Sequence, residues 1–193
     1  MAKVVRPAAE EMGEVGRDYI KGWRAKNGSQ TLAGADRLLA EAGRESQAVP
    51  LKTLLPLLDA ASLEDESDMA GRWAALLANA ADPAQRVQVQ LGFVEVLRQL
   101  TPDDAQVLTF IYKWGDDKVS FDRYSQRTFS NILGHFGWAR DRMELSLDNL
   151  LRQRLIGKLV GGFSSFSDPD PDGLVAPTRL GLAFFAAVTP PTP

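Results

Sequence analysis

The sequence contains no cysteine and a single histidine, His135. The absence of cysteine excludes disulfide bonds, thiolate nucleophiles and thiolate metal sites, and it is typical of proteins kept in a reducing compartment. No serine nucleophile motif accompanies His135, and a general base needs a positioned partner. We therefore expect a structural or exposed histidine and no catalytic residues.

An excess of positive charge is also missing. The chain has 22 lysines and arginines against 25 aspartates and glutamates, which gives a formal net charge of -3. No global positive field would draw it to nucleic acid or anionic lipid, so any such binding must be local. Membrane-spanning runs of ~18 apolar residues are absent, and the N-terminus lacks the features of a signal peptide. These absences predict a cytoplasmic protein.

The spacing of apolar residues along the sequence is mostly that of α-helices. The 193 residues are 45% hydrophobic, enough for a substantial core. Apolar residues recur at helical spacing over residues 7–26, and again in "LAGADRLLAEAG" after a predicted break at "NGSQT". Thr101 as N-cap and Pro102 as first helical residue predict the start of a later helix.

The order of elements changes after residue 100. Two amphipathic helices, "RTFSNILGHFG" and "ARDRMELSLDNLLRQRL", precede two short strands, "LIGKLVGGF" and "LVAP", and a closing helix capped by Thr178. This order is typical of a winged helix-turn-helix. We predict a mainly α protein with an N-terminal helical region at 1–100, a winged helix-turn-helix-like region with a short β-hairpin at 101–188, and a disordered tail at 189–193.

An acidic run interrupts the leucine-rich middle of the chain. It consists of Glu64, Asp65, Glu66 and Asp68. Clustered carboxylates can bind Mg²⁺ or Ca²⁺, but neighbouring helical residues point roughly 100° apart, and the spacing of a calcium-binding loop is missing. A helix start explains the run better, with Ser62 as N-cap, Asp65 completing a capping box, and Trp73 anchoring the buried face.

Two pairs of charged residues are candidate contacts for a partner. Glu66 and Asp68 are expected to face solvent at the helix start. Arg140 and Arg142 lie on the second helix of the predicted helix-turn-helix, where DNA-binding modules contact the major groove. Acidic residues share that surface and the presumed wing, and they would repel phosphate: Asp141, Glu144, Asp148, Asp168, Asp170 and Asp172. Protein contacts are therefore favoured over DNA contacts.

Residues 50–102 resemble the abortive infection alpha (Abi-alpha) family of bacterial proteins. The shared pattern is an "AASLED" junction, then "WAALLANA", then "FVEVLRQLTP" at residues 93–102. The closing "LDNLLRQRLIGKL" and "VAPTRLGLAFF" are similar to the last part of the family. The resemblance implies a mainly helical protein associated with defence against phage, and it supplies no catalytic residues.

The sequence thus predicts a non-enzymatic defence protein that acts through protein–protein contacts and needs no metal or other cofactor. Two alternatives stay open. One is a DNA-binding winged-helix regulator of a defence operon, and the other is a metal-dependent nuclease or toxin that uses the acidic run. A protein is the expected partner, nucleic acid is disfavoured, and homo-oligomerisation is left open.

Overall fold

The protein is mainly helical, as predicted. A computed structural model describes residues 14–84, 89–113, 127–158 and 173–192, with side chains from residue 21 onward. Within these ranges the helices are α1 (Glu14–Glu41), α2 (Leu51–Ala61), α3 (Ser67–Ala81), α4 (Leu91–Arg98), α5 (Pro102–Tyr112), α6 (Phe129–Phe136), α7 (Arg140–Arg152) and α8 (Arg179–Ala187). The strands are β1 (Arg127–Thr128), β2 (Ile156–Lys158) and β3 (Leu174–Pro177).

The three strands form a small antiparallel sheet in the order β1-β3-β2. Val175 lies at its centre, opposite Arg127 on one side and Lys158 on the other. The sequence did not indicate β1, because two residues are too few to show strand alternation. The predicted helix here begins only at Phe129, since the Thr128 side chain accepts a hydrogen bond from the Asn131 amide at 3.0 Å.

Helix α1 is continuous, so the predicted break at "NGSQT" is wrong. Polar side chains in this stretch bond back to the helix itself: Thr31 Oγ1 donates to the Asn27 carbonyl at 3.0 Å, and Ser29 Oγ donates to the Lys26 carbonyl at 2.7 Å. Gly34 then allows a close approach to α3, because a Cβ there would lie 2.9 Å from Ala74 Cβ. Packing between the two helices outweighs the local helix-breaking residues.

The predicted N-cap at Ser62 and capping box at Asp65 are also wrong. Helix α3 begins at Ser67, and its N-cap residue is Glu66, whose side chain makes no capping hydrogen bond. Ser62 instead ends α2, since its amide donates to the Leu58 carbonyl and its hydroxyl donates to the Asp59 carbonyl. The same polar chemistry that can open a helix is used here to close one.

The predicted start of α5 is confirmed. Thr101 is the N-cap and Pro102 the first helical residue. Thr101 Oγ1 accepts from the Asp104 amide at 3.2 Å, and Asp104 Oδ2 accepts from the Thr101 amide at 2.8 Å, which makes a reciprocal capping box. Asp104 Oδ2 also accepts from Asn149 Nδ2 at 2.7 Å, so this helix start is tied to α7.

Buried side chains from both ends of the chain pack together. Trp73 is 1% exposed, which confirms its prediction as a buried anchor. Phe93 meets Phe184 edge-on, with ring centroids 5.7 Å apart. Asn79 Nδ2 donates to the carbonyls of Ala187 and Thr189, both at 2.8 Å, and so joins α3 to the segment that follows α8. Contacts of this kind cross residue 100 and include part of the predicted tail.

None of the helices described is both long and apolar enough to cross a membrane.

Candidate partner-binding groove

A groove of about 460 Å³ lies between α1 and the start of α3. Small residues line it on both helices, among them Gly34, Ala70 and Gly71. Polar and charged side chains line it as well: Asn27, Gln30 and Arg37 from α1, and Glu64 and Asp65 from the α2–α3 junction. Two acids of the run therefore border a concave surface.

Two side chains of α1 fix the path of the junction, residues 62–66. Asn27 Nδ2 donates to the Glu64 carbonyl at 2.8 Å and to the Ser62 carbonyl at 3.3 Å. Arg24 Nε donates to Ser62 Oγ at 3.1 Å, and the same guanidinium forms an ion pair with Asp59. The junction is thus held against α1 by hydrogen bonds to its backbone and its serine.

Glu64 uses both of its carboxylate oxygens inside the protein. Oε1 accepts from the amides of Asp65 and Glu66 at 3.2 and 3.1 Å, and Oε2 accepts from Trp73 Nε1 at 3.3 Å. This side chain therefore organises the residues that precede α3. In the described part of the chain, no three acidic or histidine side chains are grouped as a metal site requires.

The other acids of the run point their charge outward. Asp65, Glu66 and Asp68 are all exposed. The nearest cation on α3, Arg72, is directed inward, where it donates to the Ala105 carbonyl at 3.0 Å and to Thr109 Oγ1 at 2.7 Å. Burial lowers the pKa of Arg72, and the negative charge of Asp68 acts in the opposite direction. Asp65 lines the groove together with Arg37 of α1, and Glu66 and Asp68 are exposed at the start of α3.

The groove and its junction lie within a region shared with known proteins. The model of the abortive infection alpha family matches residues 26–188. The chain belongs to the abortive infection alpha family. Membership extends the resemblance from the middle of the sequence to nearly the whole chain, and it associates the protein with abortive infection and defence. No curated protein and no solved structure matches it.

The two arginines proposed as DNA or partner contacts have partners within this abortive infection alpha protein. Arg142 donates from Nε and Nη2 to the two oxygens of Asp103 at 2.6 and 2.7 Å, and its guanidinium lies 4.2 Å from the centre of the Trp138 ring. These hydrogen bonds hold the pKa of Asp103 below its ordinary value. Arg140 contacts Glu144 at 3.4 Å. Both lie on α7, which contributes no residue to the groove.

His135 is exposed and stacks on Phe110, with the ring centroids 4.0 Å apart. The sequence indicated a structural or exposed histidine, and this stacked position agrees with that expectation. The presumed acidic wing of the abortive infection alpha protein, with Asp168, Asp170 and Asp172, lies outside the described residues.

Sequence reasoning missed Arg24 and Asn27, the two residues that set the geometry of the junction. Arg24 lies in the stretch 7–26 whose helical pattern was recognised, whereas Asn27 begins the "NGSQT" stretch that was predicted as a break. Nothing local distinguishes them from other polar residues, because their partners are 35 to 38 positions away in the sequence.

Proposed function

We propose that this abortive infection alpha protein contributes to defence by binding a protein partner through the acidic groove, without catalysing a reaction. The proposal rests on a difference between the acids of the run: one is hydrogen-bonded within the protein and the others are exposed. Glu64 is committed to internal hydrogen bonds, whereas Asp65 is exposed at the groove and Glu66 and Asp68 are exposed beside it in the sequence. The partner segment that fits is basic, because charge complementarity guides association and rejects wrong partners.

The rigidity of the junction supports a binding role. Asn27 holds its backbone and Arg24 holds its Ser62 hydroxyl, so less ordering entropy is lost when a partner binds. The enzymatic alternative draws less support, since a catalytic metal would have to compete for a Glu64 carboxylate that already accepts three hydrogen bonds.

Reversing the charge of Asp65 in the groove and of the neighbouring Glu66 and Asp68 tests the proposal. We expect the variant Asp65→Lys/Glu66→Lys/Asp68→Lys to lose protection against phage. Like charges facing a basic segment cost several kcal/mol, which lowers affinity by about 100-fold or more. The efficiency of plating on cells carrying this variant should approach that on cells lacking the gene, across a panel of phages.

The matched control is Glu45→Lys/Glu95→Lys/Asp148→Lys. These three acids are exposed and lie outside both the acidic run and the groove, and their reversal changes the net charge by the same amount. Circular dichroism should show both variants folded. Equal protection by the two triple variants would refute the binding role of the groove.

We also propose that β1, α6, α7, β2 and β3 form a winged-helix-like module that serves internal packing and not DNA recognition. The order of these elements, the β1-β3-β2 sheet and the tight α6–α7 turn at Gly137, which has φ +61°, support such an arrangement. The Arg142–Asp103 pair joins α7 to α5. Because the guanidinium of Arg142 already donates to Asp103, it is poorly placed to form hydrogen bonds with DNA bases.

A titration of labelled DNA from upstream of the gene distinguishes packing from regulation. At physiological salt we expect no binding tighter than the ~10⁻⁶ M of non-specific contacts. Tight binding that Arg140→Ala and Arg142→Ala weaken, and that the exposed-residue control Arg98→Ala does not, would instead establish the DNA-binding regulator.

A further inference from the structure

A second recess, of about 390 Å³, lies at the other end of α3 from the groove. The segment between α1 and α2, residues 47–50, forms one side, and residues 79–83 at the end of α3 form another. The Gln47 amide donates to the Ala81 carbonyl at 2.8 Å, which fixes the two sides against each other. The volume is within the range of small-molecule pockets, ~300–1,000 Å³.

Asp82 is the distinctive residue of this recess. It lines the recess although it is only 6% exposed. Its Oδ1 accepts a hydrogen bond from the Ala84 amide at 2.8 Å, and in the described ranges Oδ2 has no hydrogen-bonding or ion-pairing partner. Burial of the residue removes part of the hydration of its carboxylate, so a cation or donor that reaches Oδ2 from the recess would stabilise it.

The position of Asp82 in α3 strengthens the negative field. It is the C-cap residue of a 15-residue helix. The last carbonyls of a helix carry the negative end of its dipole, where cations are stabilised and anions are not. Among the described residues that line the recess, none is a lysine or arginine. The charge of this described lining therefore favours a bound cation.

The remaining lining residues define the rest of the ligand. Val49, Pro50 and Val89 are apolar, and Thr53 supplies a hydroxyl. We propose that this recess binds a small organic cation, in which an ammonium or guanidinium group pairs with the Asp82 carboxylate and a short hydrocarbon stem packs on Val49, Pro50 and Val89. A guanidinium is favoured, because its planar donors match a carboxylate. The inference is independent of the partner-binding groove.

Isothermal titration calorimetry with n-butylguanidine and its neutral analogue n-butylurea tests the proposal on the full chain. The two probes share size and stem and differ in charge. We expect butylguanidine to bind roughly 10- to 100-fold more tightly than butylurea, the range that a charged hydrogen bond to a buried group supplies. Equal affinities, or no binding of butylguanidine at millimolar concentration, would overturn the proposal.

The variant Asp82→Asn assigns the effect to the carboxylate. Asparagine keeps the oxygen that accepts from the Ala84 amide and removes the charge, so we expect a tenfold or greater loss of butylguanidine affinity. Asp148→Asn, on the exposed side of α7, is the control and should bind as wild type does. Unchanged butylguanidine affinity in a folded Asp82→Asn protein would contradict the assignment. If this variant does not fold, the affinities of butylguanidine and butylurea for the wild-type protein test the proposal.

The same titration identifies the source of the cation. A capped Gly-Arg-Gly peptide presents the guanidinium as it occurs in a protein. Tighter binding of the peptide than of butylguanidine assigns the recess to an arginine side chain of a protein, and weaker binding assigns it to a free small molecule.

Discussion

Replacing Gly181 with alanine should destabilise the protein by about 3 kcal/mol or more, because overpacking and a broken buried hydrogen bond add together. Gly181 lies in the first turn of α8 and is buried. A Cβ here would collide with the Leu155 carbonyl and the Tyr112 hydroxyl, and it would lie 2.8 Å from the Leu155 carbonyl carbon. Backbone atoms cannot rotate away, so the added methyl must displace α8.

The contact that the methyl would disrupt is a buried hydrogen bond. Tyr112 Oη donates to the Leu155 carbonyl at 2.6 Å, and that carbonyl also accepts from Thr178 Oγ1 at 3.1 Å. Burial raises the pKa of Tyr112 to about 12, so its hydroxyl keeps its proton at physiological pH and remains a donor. Displacing it leaves a buried polar group without its partner.

Urea unfolding followed by circular dichroism measures the loss. Gly134→Ala is the matched control, because Gly134 is inside α6 and a Cβ there meets nothing within 4 Å. That substitution should stabilise the protein by about 0.5–1 kcal/mol, the helix-propensity difference. We therefore expect the two substitutions to change the free energy of unfolding in opposite directions. Wild-type stability in Gly181→Ala would contradict the structure.

Trp73→Ala is expected to cost about 3–5 kcal/mol, the usual loss for truncating a fully buried tryptophan. The side chain packs in the core of the α1–α3 region and donates from Nε1 to Glu64 Oε2. Truncation therefore removes a large apolar contact and also frees the carboxylate that organises the junction. Trp73→Phe should lose less, since most of the ring packing survives and mainly the hydrogen bond is removed.

The measurement for Trp73 is urea unfolding by circular dichroism, which does not depend on the indole fluorescence that the substitution removes. Leu145→Ala is the control, because Leu145 is 74% exposed, and it should change the free energy of unfolding by less than about 0.5 kcal/mol. A cost below about 1 kcal/mol for Trp73→Ala would place this residue outside the core.

Boundaries set by local chemistry could be predicted from the sequence. Thr101 and Pro102 begin α5, Thr178 caps α8, and Gly137 ends α6 in the left-handed conformation. In each case the cap is made by atoms within a few residues of the helix end. The apolar face that contains Trp73 was predicted for the same reason.

Features set by distant residues could not be predicted. Ser62 has a side chain suited to either end of a helix, and contacts with Arg24 and the Asp59 carbonyl accompany its place at the end of α2. The "NGSQT" stretch stays helical because α1 packs closely on α3 at Gly34. Asp82 is one of 25 acids in the sequence, and only its burial in the folded chain makes it distinctive.

The hydrogen bonds of Asn79 also bear on the order in which the chain is made. A ribosome synthesises α3 and α4 well before residues 184–189. Until those last residues emerge, α3 lacks the carbonyls of Ala187 and Thr189 that Asn79 contacts, and Phe93 lacks the ring of Phe184. A nascent chain stalled before residue 184 therefore displays an unfinished apolar surface, and this part of the core closes only after residues 184–189 have left the ribosome.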